Sequence, residues 1–402
     1  MKQFIIHLLS ATYFITGCIN ANTSGYKPNQ QLLDSLEGQS PYLTKDHKGN
    51  IVLSWVRMVN DSVSTFCYAV SKNGGKSFET PQEIPNSNNI QPHSENLPKI
   101  IFKPSGEVIA LWGAANPNPQ NKYSGLLFYS QSFDEGKTWS DAKPLINDTL
   151  SYDQRYYDVA LLPNGEAAIV WLDNRKATEK EGSALYFATT NGREGFTNEK
   201  RIGEFCCPCC RTDLFIDKND GIHVLYRGII QDSIRDMVHT ASTDGGTSFS
   251  VPKRISDDNW IIKGCPHTGP SMTETNKGLH FSWFTGGKNK GCFYTQSTDN
   301  GNSFTKQDSI SSLGSHPQMT GLSDGSVLIA WDETINSGDE VIKKVGIQKR
   351  NPDGTAKTKQ FITQNNDMAS YPVVIETNKS SCLVAYSIKR NQKSLIAWQV
   401  IQ

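Results

Sequence analysis

Seven segments of the chain share one spacing: a proline or its equivalent, a short apolar run, a glycine about eight residues on and an aromatic residue about fourteen on. Pro41, Gly49 and Trp55 set the spacing; Pro98, Gly106 and Trp112 repeat it, and Tyr157, Gly165 and Trp171 follow. Thr212, Gly221 and Tyr226 keep it with the glycine shifted by one, then come Pro270, Gly278 and Phe284, and Pro317, Gly325 and Trp331. The last copy is worn: Pro372, Ser380 and Tyr386. Six intervals of about 55 residues separate the first start from the last, and a fixed period of that size denotes similar units that bury their apolar faces against neighbours. Runs such as GEVIALW (106–112) and GSVLIAW (325–331) alternate like strands and are too short for helices. The chain is therefore expected to be all-β.

Composition narrows the partners. Lys plus Arg and Asp plus Glu both count 40, and no basic block breaks the balance, so nothing favours nucleic acid. Hydrophobic residues at 37% supply a core. Beyond the first eighteen residues no apolar run approaches the ~20 that a spanning helix needs.

A second motif lies between the repeats. SFDEGKTW (132–139), STDGGTSF (242–249) and STDNGNSF (297–304) fit S-x-D-x-G-x-x-aromatic; SKNGGKSF (71–78) substitutes Asn for Asp, and TTNGREGF (189–196) is degenerate. The carboxylate can accept bonds from turn N–H groups, the glycine permits positive φ, and the aromatic residue anchors the hairpin. With these copies the sequence resembles the Asp-box (BNR) repeat proteins of the sialidase-like β-propeller superfamily, over residues 28–402. The resemblance implies four-stranded blades with the Asp box between the third and fourth strands. Seven repeats imply seven blades in one domain, with six, the count of true sialidases, as the alternative. The last repeat ends after its third strand, and PNQQLLDSL (28–36) matches fourth-strand segments such as VPKRISD, so an N-terminal strand is expected to close the ring.

The first eighteen residues read as an address. Lys2, the apolar stretch Phe4 to Phe14, and Ile15-Thr16-Gly17-Cys18 form an export signal whose end resembles the bacterial lipobox, with Ile in place of the usual Leu. Residues 1–18 would be the signal peptide, Cys18 the lipidated residue and 19–27 a tether. The chain would then be a membrane-anchored lipoprotein of the cell envelope, monomeric, with the membrane reached through the lipid alone. The alternative is an ordinary secretory signal with an incidental Cys18.

Propeller topology sorts the loops. Fourth-to-first and second-to-third connections open on one face, opposite the Asp boxes. The former carry His93 and Glu95; Asp153, Arg155 and Tyr156; the CCPCC run (206–210); Trp260, Cys265 and His267; and His316 and Tyr371. The latter carry Arg57; Asp173 and Arg175; Arg227, Arg235 and Asp236; and Asp332, Glu333 and Arg390. A glycan or other small-molecule ligand is expected on this face.

The resemblance implies exo-α-sialidase chemistry if the chain is an enzyme: three arginines on a substrate carboxylate, a Tyr nucleophile activated by Glu, and an Asp acid/base. Arg57, Arg175, Arg227 and Arg235 are the candidates for the clamp. Tyr156, Tyr157 or Tyr371 would be the nucleophile, with Asp153 and Asp173 among the catalytic candidates. The family's Phe/Tyr-Arg-Ile-Pro signature is absent, so no catalytic residue carries over from it. The alternative reading makes Asp173–Arg175 and Arg235–Asp236 loop braces. His93 and His316 are ligand-binding candidates or solvated loop residues. Trp55, Trp112, Trp171, Trp283 and Trp331 read as blade packing, which leaves Trp260 as the stacking candidate.

CCPCC holds two C-x-x-C spacings, Cys206/Cys209 and Cys207/Cys210. Cys206 and Cys209 with His267, or with Cys265, could hold Zn or Cu(I). The alternative is disulfide bonding: nine cysteines less Cys18 leave an even number, with Cys265–Cys292 the preferred pair. The sequence thus supports a glycan-directed propeller that needs no cofactor, or a non-catalytic metal- or partner-binding scaffold centred on CCPCC.

Overall fold

The computed structural model describes residues 30–33, 36–60, 62–119, 121–147, 152–175, 181–338, 340–377 and 381–402. The expected signal peptide, Cys18 and the 19–27 tether lie outside them.

Seven antiparallel four-stranded sheets follow one another round a ring, forming a seven-bladed β-propeller. Blade one comprises Gly38–Lys45, Ile51–Met58, Ser64–Ser71 and Gln82–Glu83. Blades two to six occupy 99–144, 154–206, 213–254, 271–311 and 314–361. Blade seven takes Ser370–Glu376, Cys382–Arg390 and Lys393–Ile401 from the end of the chain, and its outer strand, Gln31–Leu32, from the beginning. Gln31 pairs with Trp398 and Leu32 with Ala397, so the N-terminal strand closes the ring as the sequence predicts. No helix among the described residues is long and apolar enough to cross a membrane.

The core is divided among the blade junctions. One buried cluster joins Leu53 and Trp55 of blade one to Leu383 and Trp398 of blade seven, and another joins Leu225 and Met237 of blade four to Phe281 and Trp283 of blade five. The repeated indoles of Trp55, Trp112, Trp171, Trp283 and Trp331 are all buried, each stabilising its junction by roughly 1.5–3 kcal/mol. Blade five departs from the spacing. Its first two strands, Ser271–Thr275 and Gly278–Thr285, are joined across two residues only, so Trp283 fills the junction and Phe284 is half-buried.

The S-x-D-x-G turns join third strands to fourth strands. In blade two Ser132 Oγ donates to Asp134 Oδ1 at 2.8 Å and accepts from Gly136 N at 2.8 Å, while Thr138 N and Oγ1 donate to the carboxylate at 2.8 and 2.6 Å. Asp244 and Asp299 repeat the pattern in blades four and five. In blade one Asn73 Oδ1 takes the Ser77 N–H at 3.0 Å. The glycine at φ +86° in blades one and two explains why that position of the motif is fixed.

Candidate functional site

The residue immediately before each repeat start sits where the inner strand begins: Ser40, Leu97, Tyr156, Arg211, Gly269, His316 and Tyr371. At four of these the ladder between first and second strands slips, and Ser40, Tyr156, His316 and Tyr371 adopt φ of 60°, 58°, 50° and 53°. Positive φ at bulky residues costs about 1–3 kcal/mol, and a bulge redirects the side chain out of strand alternation. The recurrence of that cost at one ring position marks the site.

Arg211 occupies the centre. Its guanidinium donates to Glu95 Oε1 at 2.6 Å and to the carbonyls of Pro270 and Pro317 at 3.1 and 2.8 Å. Glu95 Oε2 accepts from Gly269 N at 2.6 Å, so one buried ion pair ties together segments of four blades. Below it Lys99 pairs with Asp158 at 2.6 Å. Burial and then the Asp158 charge push Asp213 up to about 8.

On one side, His316 Nδ1 lies 2.9 Å from Asp332, whose Oδ2 also accepts from Tyr371 N at 2.6 Å, and the imidazole stacks on the Tyr371 ring with centroids 4.1 Å apart. Burial opposes protonation of His316, but the Asp332 charge and hydrogen bond outweigh it and raise its pKa.

On the other side a cleft of about 630 Å³ opens among the loops of blades two to five. His93, Asp153, Arg155, Tyr156, Cys209 and His267 line it, together with Lys122 and Tyr123. Arg155 binds both oxygens of Asp153 at 2.6 and 2.7 Å, and Asp153 also accepts from Gly125 N at 3.0 Å, where the third strand of blade two begins. His93 packs edge-on to Tyr156 at 5.5 Å and lies 5.7 Å from the His267 ring. Burial, His267 and the Arg155 charge push His93 down to about 4, so it is neutral; its Nδ1 accepts from Glu95 N at 3.1 Å, which leaves Nε2–H as a donor. Burial pushes the Tyr156 phenol far above its ordinary range, and its hydroxyl has no hydrogen-bond partner. The Tyr123 ring is 69% exposed, which makes it a flat aromatic surface at the cleft margin.

Of the residues in the sequence reading, the structure brings His93, Asp153, Tyr156, Cys209, Cys265 and His267 together in this cleft, and His316, Asp332 and Tyr371 on the other side of Arg211. Four expected clamp arginines do not converge. Arg57 pairs with Glu83 at 2.8 Å, and Arg175 pairs with Asp173 at 3.1 Å and Glu199 at 3.0 Å, with Asp173 fully buried beneath Trp171 Nε1. Arg227 is enclosed by carbonyl oxygens and Cys210, and Arg235 pairs with Glu181 at 2.6 Å. Asp236 pairs with Arg254, not with Arg235 as expected. Trp260, the stacking candidate, is 8% exposed, with Arg227 against its ring at 4.9 Å.

The cysteine expectations also change. Cys265 and Cys292 form no disulfide among the described residues; Cys292 is buried between blades five and six while Cys265 lies exposed on a loop, so the expected Cys265–Cys292 pair does not form. Cys206 ends a strand with its thiol toward the Glu204 carbonyl, and the sulfurs that converge are those of Cys207, Cys209 and Cys210. Cys206, Cys209 and His267 do not form a converging donor set among the described residues, because residues 207–210 form a turn and escape strand alternation.

No family model matches the sequence, and no curated protein matches it either. Among solved structures, a Dyadobacter fermentans protein of unknown function is similar at TM-score 0.54 and 15% identity, over 92% of this chain and 97% of that one. A mutant NanB sialidase of Streptococcus pneumoniae is similar at 0.50 and 12%, over 93% of each chain. The intramolecular trans-sialidase of Ruminococcus gnavus is similar at 0.50 and 10%, over 91% and 94%. What these structures share with the chain is the β-propeller fold. Within that fold, the position of Arg211 is the residue-level feature the sequence reading missed, although its place one residue before the Thr212 repeat start was a signal for it.

Proposed function

We propose that this chain is an exported, lipid-anchored propeller that binds a neutral saccharide in the cleft beside Arg155 and does not hydrolyse sialosides. The observation that carries the reading is the internally neutralised Asp153–Arg155 pair. It offers sugar hydroxyls both a donor and an acceptor without demanding charge from the ligand, next to the neutral His93 imidazole and the exposed Tyr123 ring. Similarity in fold to sialidases supports a carbohydrate ligand. Scattering of Arg57, Arg175, Arg227 and Arg235 argues against a carboxylate clamp, and Tyr156, with its phenol pKa raised and no carboxylate bonded to it, lacks the base a nucleophile needs.

A glycan array carrying neutral and sialylated oligosaccharides tests this, beside turnover of a fluorogenic α-sialoside. Binding to neutral glycans that disappears in Arg155→Ala and Tyr123→Ala, with no turnover, is the expected result. Turnover, or an array without signal from folded protein, would overturn it. Anchoring is tested separately: Cys18→Ala should move the protein from the membrane fraction to the soluble fraction.

A further inference from the structure

We propose that Cys207, Cys209 and Cys210 together bind one thiophilic cation, zinc(II) or copper(I), through their three sulfurs. The Sγ atoms all lie within 4.8 Å of one another, and those of Cys207 and Cys209 are 3.6 Å apart. Zinc–sulfur bonds of about 2.3 Å at tetrahedral angles place sulfurs about 3.8 Å apart, so the trio already has the edge length of such a site. The chain achieves this by leaving the strand at Cys206 and turning through Pro208. The three thiols are 1%, 3% and 1% exposed, and none forms a disulfide.

Two buried arginines supply the independent argument. Arg227 is 1% exposed and donates to the carbonyls of Arg235, Thr268 and Phe284 and to the Cys210 sulfur, 3.4 Å from Nε. Arg235 is 4% exposed; it uses Nη2 on Glu181 and leaves Nε and Nη1 buried without hydrogen-bond partners among the described residues. Buried cations require a counter-charge. A cation held by three thiolates carries one net negative charge with zinc(II) and two with copper(I), and the guanidiniums balance it. Loading transfers the three thiol protons to solvent and forms three metal–sulfur bonds, with no change of oxidation state.

The donor set is that of an open site, since three protein ligands leave a coordination position for another group. Cys209 also lines the cleft, and Tyr156, with its unpartnered hydroxyl, packs in the same buried cluster. The inference stands independently of the saccharide reading.

The experiment is metal titration of the full chain purified under reductant. Zinc(II) would be competed against a chromophoric chelator, copper(I) against bicinchoninate, and cobalt(II) would be added as a spectroscopic stand-in for zinc. One equivalent should bind, with a thiolate-to-cobalt charge-transfer band. Arg235→Gln should weaken affinity by about 10- to 100-fold, and each of Cys207→Ser, Cys209→Ser and Cys210→Ser by more. Cys206→Ser and Cys265→Ser should leave it unchanged. Should the ligand variants fail to fold, the cobalt spectrum of the unaltered chain and the Arg235→Gln affinity still decide. Absence of stoichiometric metal would overturn the proposal, as would a disulfide within the trio in metal-free protein, or equal losses in Cys206→Ser and Cys209→Ser.

Discussion

Gly269 leaves room for the residue at the centre of the ring. A Cβ there would lie 2.1 Å from Arg211 Cγ and 2.6 Å from its carbonyl oxygen, so Gly269→Ala must displace the arginine or its backbone. We expect a loss of about 1–3 kcal/mol or more in denaturant unfolding. Glu95→Gln leaves Arg211 buried without its carboxylate and should cost about 3–5 kcal/mol by the same measurement. His316 gives a pH signature. Its folded pKa is raised, so its contribution to stability is complete below about pH 6.5 and is lost as the pH climbs through the folded value. Asp332→Asn should therefore narrow the stability difference between mildly acidic and alkaline solution, read from unfolding curves at each pH. At this scale the sequence was a partial guide. It put His93, Asp153, Tyr156 and His267 on one face, and they line one cleft, because loop position follows from topology. It did not show that Arg227, Arg235 and Trp260 are buried, because which neighbour a long side chain meets depends on contacts between blades that spacing does not encode.

Among the elements, the turns were the most legible and the cysteines the least. A turn is closed by residues two to four positions apart, so Ser132, Asp134, Gly136 and Thr138 declare their bonding in the sequence itself. The Cys265–Cys292 pairing had no such local determinant; it required the position of an exposed loop relative to a blade junction. Acid should separate the turns. Hydrogen bonds from Thr138 and Ser132 hold Asp134 down at about 2, and those from Ser303 hold Asp299 at about 2. Depressed carboxylates contribute fully above their unfolded value of about 3.9, and that contribution is lost as the pH falls through the folded value. Blade one uses Asn73, which does not titrate in this range. Hydrogen exchange between about pH 4 and about pH 2 should release the amides of Thr138 and Ser303 while that of Ser77 stays protected. Equal release of all three would show that the carboxylates do not govern these turns.

For the whole molecule, seven blades and the closing strand were legible because a period near 55 residues and an incomplete last repeat are global properties of the sequence. Removing residues up to 33 should expose the edge of Lys393–Ile401, since Leu33 N donates to Ile396 O and Gln31 faces Trp398. Exchange protection should fall in 393–401 and self-association should rise; retained protection would mean that blade seven holds without the strand. The same closure also sets a timetable. Gln30 accepts a hydrogen bond from Arg390, 360 residues further on, so at about 5–20 residues per second the first strand must wait roughly 20 to 70 s for its partners to be synthesised. For that interval the ribosome carries an open arc with one unsealed apolar flank, which makes the nascent chain a customer for holding chaperones until its final strands emerge.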